Sequence, residues 1–316
     1  MPAATRFGVF EMGMNHAGEL AQLTQLVRPH VALITTVASV HLEFFADETA
    51  IADAKAEIFE GLESGGTAII PYDNPHRDRL IAAARLRDAQ IVTFGMGEGA
   101  DVRPLETMRT ATGGTFVTAR LLGRELSFTT SQPGAHHVSN ALAVLAAVEA
   151  VGADVALAGL ALAELDGLPG RGQRVAIELP GGNALLLDES YNANPTSMRA
   201  TLAVLGDETA TRKLVVLGAM GELGVDAPSH HAGLADPILA AGVEAGILVG
   251  EAMGPLANAL EGRADFVHVP DAAAALASLR AMLAPGDAVL IKGSNSVGLA
   301  AVVAGLQDGN FGRGNG

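Results

Sequence analysis

Residues 184–205 read Ala184-Leu185-Leu186-Leu187-Asp188-Glu189-Ser190-Tyr191-Asn192-Ala193-Asn194-Pro195-Thr196-Ser197-Met198-Arg199-Ala200-Thr201-Leu202-Ala203-Val204-Leu205. The apolar run Ala184–Leu187 predicts a short buried strand. It stops abruptly at five consecutive side chains able to bond a ligand, Asp188 to Asn192. A helix should follow, because Asn194 suits an N-cap, Pro195 suits the first helical position, and Met198, Leu202 and Leu205 form one apolar face. In open α/β sheets ligands bind beyond the carboxyl ends of strands. Capping alone needs one or two polar residues. An acid pair and a tyrosine within such a run mark a candidate site.

Working outward from this stretch, strands alternate with helices in both directions. Upstream, strands are expected at Phe7–Phe10, Val31–Thr35, Thr67–Ile70 and Ile91–Phe94, with helices through Glu19–Val27, Ala50–Leu62 and near Asp78–Leu86. That order argues for a parallel sheet. Between Asp101 and Thr130 the pattern changes to β-type runs around Gly113-Gly114 and Gly123, which suggests an antiparallel insertion. A helix from Asn140 to Val151 and one capped by Asp154 precede Asp166-Gly167-Leu168-Pro169-Gly170-Arg171-Gly172, a stretch of linker composition. Downstream, a hairpin turning at Pro180-Gly181-Gly182-Asn183 opens a second α/β layer. Its further strands are expected at Leu214–Leu217, Gly246–Val249, Phe266–Val269 and Ala288–Ile291. The division expected is residues 1–169, residues 170–308 and a flexible glycine-rich tail, 309–316.

Composition narrows the function. A chain of 316 residues with 49% hydrophobic content can bury a large core, and its net charge of −15 argues against nucleic acid. There is no cysteine, so disulfides and thiolate metal sites are excluded, which fits a cytosolic enzyme. The amino terminus lacks the apolar core of a signal peptide. The uncharged stretch from Leu126 to Val148 is broken by polar residues, so no membrane span is expected. The lysines are Lys55, Lys213 and Lys292 alone.

Several residues stand where chemistry could be done, and each also has a plainer reading. Lys55 falls on the apolar stripe of Ile51, Ile58, Phe59 and Leu62. Its stem could simply pack while the ammonium reaches water, or burial could lower its pKa and free the amine to take up carbon dioxide as a carbamate, an oxygen ligand for Mg²⁺. Glu11 ends the first expected strand, where a carboxylate could hold Mg²⁺ or merely favour a helix start. His41 ends a strand-derived loop. Lys292-Gly293-Ser294-Asn295-Ser296 lies between a strand and a helix expected from Val297, a place for an anion or an ordinary turn.

Asp188 to Pro195 resembles the signature of the Mur ligases that add D-alanyl-D-alanine to the peptidoglycan precursor. Other segments extend the resemblance. Glu11-Met12-Gly13-Met14-Asn15-His16 is similar to the family's Glu-Leu-Gly-Ala-Asn-His, Val40-His41-Leu42-Glu43 to its magnesium-ligating histidine segment, and Ala54-Lys55-Ala56-Glu57-Ile58-Phe59 to the helix whose lysine is carbamylated. Gly134-Ala135-His136-His137-Val138-Ser139-Asn140-Ala141 resembles Gly-x-His-Asn-x-x-Asn-Ala, with His137 in place of asparagine. Pro169-Gly170-Arg171 matches the linker arginine, and Gly218-Ala219-Met220-Gly221-Glu222-Leu223-Gly224 resembles Gly-Asp-Met-x-Glu-Leu-Gly, with Ala219 in place of aspartate.

The resemblance implies a P-loop-type parallel-sheet central domain with a β insertion, followed by a Rossmann-like carboxy-terminal domain. It implies Mg²⁺ held by Glu11, His41 and carbamylated Lys55. ATP would be held by Asn140, Arg171, Glu189 and Tyr191, with Glu189 in the place of a ribose-binding aspartate. Asn192, Asn194, Lys292 and Ser294 would line the cleft for the incoming dipeptide. The partners implied are UDP-N-acetylmuramoyl-tripeptide and D-alanyl-D-alanine, and a monomer is expected. The diaminopimelate-adding relatives carry Asp-Asn-Pro-Arg, and no such tetrapeptide occurs here. Nor does Gly-x-x-x-x-Gly-Lys-Ser/Thr, the P-loop, since the three lysines are followed by Ala56, Leu214 and Gly293. The family carries it upstream of the first strand, so a longer protein or an inactive truncated binding module is expected. A nicotinamide-dependent dehydrogenase is the remaining rival, but Met220 stands where the dinucleotide fingerprint needs a glycine.

Overall fold

The structure, a computed structural model, describes residues 2–38, 43–165 and 167–309. The chain divides into two units, one of Met1–Met108, Phe116–Thr129 and Val138–Ala163, the other of Arg109–Thr115, Thr130–His137 and Glu164–Gly316. His41 and the stretch 310–316 of the expected tail lie outside the described residues. Among the described residues no helix is long and apolar enough to cross a membrane.

In the first unit α1 (Glu19–Val27) precedes β1 (Val31–Leu33), α2 (Glu48–Ala56) precedes β2 (Thr67–Pro71), and α3 (Arg77–Arg85) precedes β3 (Gln90–Phe94). These three strands pair in parallel. Every residue of β2 is buried, as befits a strand covered on both faces. Then β4 (Val102–Arg109), β5 (Thr115–Leu121) and β6 (Arg124–Thr130) continue the same sheet in chain order. Leu122 and Gly123 join β5 to β6 with φ of 49° and 88°, the two left-handed residues of a tight antiparallel hairpin. The β insertion is thus an extension of the parallel sheet.

Three sequence expectations need correction in this unit. Phe7–Phe10 forms no strand: Val9 is 98% exposed, and among the described residues β1 hydrogen-bonds to β2 alone. An extended run without a partner ladder has no reason to hold its shape. The helix expected over Ala50–Leu62 is α2 followed by a 3₁₀ turn, Glu57–Gly61. Finally α4 (Ala135–Ala150) begins well before Asn140, because its buried face already includes Val138 with Ala141, Leu142 and Leu145. Asn140 therefore sits within the helix and is no cap. After it comes α5 (Val155–Ala163), with Leu157 N donating to Asp154 Oδ1 at 3.0 Å.

The second unit opens with β7 (Gln173–Leu179) and β8 (Gly182–Glu189), an antiparallel pair, then α6 (Pro195–Gly206) and β9 (Lys213–Gly218). There follow α7 (Ala227–Ala232), α8 (Ala235–Ala240), β10 (Ala245–Val249), α9 (Gly254–Leu260), β11 (Asp265–Val269), α10 (Ala272–Met282), β12 (Ala288–Lys292) and α11 (Ala300–Gln307). The sheet order is β11-β10-β9-β12-β8-β7, parallel throughout except for β7. Leu214 to Leu217 of β9 and Ala288 to Ile291 of β12 are buried on both faces, each large side chain contributing about 1.5–3 kcal/mol. Both units are thus of the α/β class. α11 starts at Ala300 and not at Val297, because Gly298, at φ 75°, separates it from a 3₁₀ turn at Asn295–Val297.

Candidate active site

Insertion of β12 between β8 and β9 decides where the chemistry-bearing segments go. Lys292 is in register with Glu189 on one side and Leu217 on the other. The loops that follow Glu189, Gly218 and Lys292 therefore leave one sheet edge side by side, as the rule for strand carboxyl ends requires.

The first of these loops is braced from below. Alternation along β8 turns Asp188 inward, where it is 2% exposed. Its Oδ2 accepts from Gly170 N at 2.7 Å, and its Oδ1 from Ser190 N at 3.1 Å and Ser190 Oγ at 2.7 Å. Backbone bonds add to the seam, Gly172 N donating to Asp188 O at 2.9 Å and Tyr191 N to Gly170 O at 3.1 Å. Gly170 is required there: its φ is 76°, and a Cβ would lie 2.8 Å from Tyr191 Cβ. The seam places the Arg171 guanidinium 4.3 Å over the exposed Tyr191 ring, a cation–π contact that holds a cation at the edge.

Lys292 and Glu189 form the charged centre. Lys292 Nζ donates to Asn192 O at 2.8 Å and lies 3.5 Å from Glu189 Oε2. Burial pushes the Lys292 pKa down, opposed by the Glu189 charge. Burial likewise pushes the Glu189 carboxyl up, opposed by Lys292. The attraction between them favours the charged form of each against its desolvation. Glu189 also lines a cavity of about 20 Å³ with Gln132, His136, His137 and Arg174. That space admits a water molecule but no nucleotide. The two histidine rings stand 4.0 Å apart, and burial drives His136 down and His137 down to about 3, so both are neutral near pH 7.

The remaining expected residues divide between site and scaffold. Asn194 is the N-cap of α6, its Oδ1 accepting from Ser197 N at 2.8 Å while Ser197 Oγ accepts from Asn194 N at 3.1 Å. Its side-chain acceptor is thereby spent on the helix. Asn192 and Tyr191 are exposed beside it. Ser294 N donates to Ala219 O at 2.9 Å, tying the third loop to the second. In the first unit Glu11 and Asn140 are exposed, and Lys55 is half-buried with its pKa lowered by desolvation. Among the described residues no group of three His, Asp or Glu side chains could hold a metal. The set expected for Mg²⁺ includes His41, outside the described residues, and a carbamate on Lys55 that an unmodified amine does not supply.

Two family models match. A Mur ligase middle domain matches residues 1–148 and a Mur ligase glutamate ligase domain matches residues 170–295. The chain belongs to the Mur ligase family. It is 34% identical over 96% of its length to UDP-N-acetylmuramoyl-tripeptide–D-alanyl-D-alanine ligase of Escherichia coli, of which it covers 65%. It is 34% identical to the Synechocystis enzyme of the same name, of which it covers 63%. Against crystal structure I of MurF from Acinetobacter baumannii the TM-score is 0.83 at 28% identity, covering 95% of this chain and 64% of that one. The chain thus spans about two thirds of the length of its Mur ligase relatives.

Not every residue of this Mur ligase edge was visible in the sequence. Asp188 reads there as a ligand group, whereas its oxygens are used by the linker turn. Glu208, buried at the end of α6, accepts from Arg174 Nη1 at 2.7 Å and Nη2 at 2.9 Å, and from Arg109 Nη2 at 2.7 Å. No local motif announces that cluster, because its members are up to 99 positions apart.

Proposed function

We propose that this chain carries the ATP-binding (1–169) and carboxy-terminal (170–308) domains of an ATP-dependent ligase that joins D-alanyl-D-alanine to UDP-N-acetylmuramoyl-tripeptide. It would act in the cytoplasm as a monomer. The observation that carries the reading is the convergence at one sheet edge of the three segments in which the resemblance is most specific, 188–195, 218–224 and 292–296. In such a ligase the tripeptide carboxylate attacks the γ-phosphorus of ATP. An oxygen–phosphorus bond forms, the bond to the β-phosphate oxygen breaks, and ADP leaves. The dipeptide amine then attacks the acyl carbon, an amide forms, and inorganic phosphate departs with loss of one amine proton.

The residues take their parts from their surroundings. Arg171, stacked on Tyr191, is a cation free to meet phosphate. Asn140 would serve the adenine. Glu189, 3.5 Å from the Lys292 ammonium, is an acceptor for ribose hydroxyls. Lys292 retains a donor beyond those used on Asn192 O and Glu189, enough to face a dipeptide carboxylate, with Asn192 and Asn194 Nδ2 on the loop after β8 and Ser294 on its own loop for its amide. Lys55, whose amine burial shifts toward the neutral form, is suited to carbamate formation, and with Glu11 and His41 that carbamate would complete an oxygen and nitrogen set for Mg²⁺.

The test joins residues 1–316 to the P-loop segment of the Escherichia coli relative and supplies ATP and UDP-N-acetylmuramoyl-tripeptide. D-alanyl-D-alanine, diaminopimelate, lysine and glutamate are then offered in parallel. Phosphate release that depends on the dipeptide is expected. Preference for any single amino acid would overturn the assignment.

A further inference from the structure

The loop after β9 is held from two sides, and one of the holds is a histidine that the reading above does not use. His231, on α7, is 1% exposed. Its Nε2 receives the Met220 N–H at 2.9 Å, and its Nδ1 lies 2.7 Å from Ala227 O. The partners fix the protonation state, since a backbone N–H only donates and a carbonyl oxygen only accepts. The ring must be neutral, bearing its hydrogen on Nδ1. On the other side of the loop Ala219 O accepts from Ser294 N at 2.9 Å. The loop and the Lys292–Ser294 turn are also in close contact at two glycines, where a Cβ on Gly293 would lie 3.0 Å from Gly218 Cα. A Cβ on Gly221 would lie 3.3 Å from Ser294 Oγ. A continuous chain of bonds therefore runs from Ala227 O through the imidazole to Met220 N, along one peptide to Ala219 O, and on to Ser294 N.

From this we infer that His231 is a positioning residue for the amine substrate: through Met220 and Ala219 it sets the place of the Lys292–Ser294 turn. The inference rests on the reading of this edge as the dipeptide side of a ligase. A histidine serving only to staple α7 would need its Nδ1 bond to Ala227, within its own helix. The bond to Met220 reaches eleven positions back, to the same peptide whose Ala219 O accepts from Ser294 N.

Two variants separate these roles by reach. In His231→Gln the amide end stands where Nε2 stood, so its oxygen can accept from Met220 N. In His231→Asn the amide end stands at the Nδ1 position, able to serve Ala227 O but too short for Met220. In the 316-residue chain, hydrogen exchange at the Met220 and Ser294 amides should quicken on the order of tenfold in the asparagine variant and stay near wild type in the glutamine variant. Calorimetry with D-alanyl-D-alanine should show weaker binding for the asparagine variant, with ADP affinity unchanged. Unchanged protection of Ser294 in the asparagine variant, equal behaviour of the two variants, or a parallel loss of ADP affinity would each overturn the inference. A wild-type chain that binds no dipeptide would instead sink the proposed function, while the exchange pattern still decides whether His231 positions the turn.

Discussion

Lys292 and Glu189 are register partners at the last positions of adjacent parallel strands, with Nζ 3.5 Å from Oε2. The chain brings them together across 103 positions. Neither could remain charged alone at such burial, the lysine side chain being 3% exposed and the glutamate 16%. A buried pair of this kind adds little net stability over an apolar pair, but removal of one member leaves the other charge without compensation.

Lys292→Met should therefore destabilise the protein by about 3 kcal/mol, and should push the Glu189 carboxyl further above its ordinary range. Denaturant unfolding at pH 7.5 measures the first effect. The double variant Lys292→Met with Glu189→Leu should regain most of the loss. A single variant as stable as wild type would show that water already screens the pair.

Asp188→Ala removes the acceptor of three hydrogen bonds, from Gly170 N, Ser190 N and Ser190 Oγ, in a place that is 2% exposed. Stranding buried donors costs about 1–3 kcal/mol each, so a loss of at least about 3 kcal/mol is expected, against less for Asp188→Asn. With Tyr72→Phe as background, Tyr191 is the remaining tyrosine and the chain has no tryptophan. Its fluorescence should report release of Arg171 from the ring. An unaltered spectrum in the alanine variant would mean that the Arg171–Tyr191 stack holds without the seam.

Acid should weaken the fold through its buried histidines. His137 falls from 6.5 to about 3 on folding, so between those values the unfolded chain binds the extra proton. Its contribution is complete above pH 6.5 and is lost as pH falls toward 3, by about 2 kcal/mol at pH 5. His136 and His231, also lowered chiefly by burial, act in the same direction. Unfolding free energies from pH 7.5 to pH 5 should fall steeply in wild type and less in His137→Asn. Identical slopes would show that His137 titrates in the folded protein as it does in the unfolded chain.

Lys55 offers a test that needs no turnover. In ¹³C-bicarbonate the wild-type chain should show a carbamate carbonyl resonance that Lys55→Met lacks. Because burial disfavours the Lys55 ammonium, methionine should leave melting temperature unchanged or raise it. A substantial fall would identify Lys55 as a packing and pairing residue of α2.

Asn194→Ala should cost about 1 kcal/mol through loss of the α6 cap, and Asn194→Asp should cost little. Thermal melts of the two suffice. Equal losses would mean that the Asn194 amide group makes a contact beyond the cap.

Local chemistry explains what the sequence by itself determined. The strand–turn–helix at 184–205, the cap at Asn194, the alternation of β and α elements and the α/β class all follow from short-range periodicity and capping, which act within a few residues. Tertiary structure decided what depends on partners. Phe7–Phe10 has strand composition yet forms none, since a strand needs a ladder to pair with. The reach of α4 back to Ala135 was set by burial of Val138, and the break at Gly298 by a left-handed backbone. The placing of β12 between β8 and β9 set Lys292 against Glu189, the return of the linker turn made Asp188 a brace, and the packing of α7 put His231 within reach of Met220. Contacts across 11 to 103 positions leave no periodic mark on the chain, because their energy appears only when distant segments are packed together.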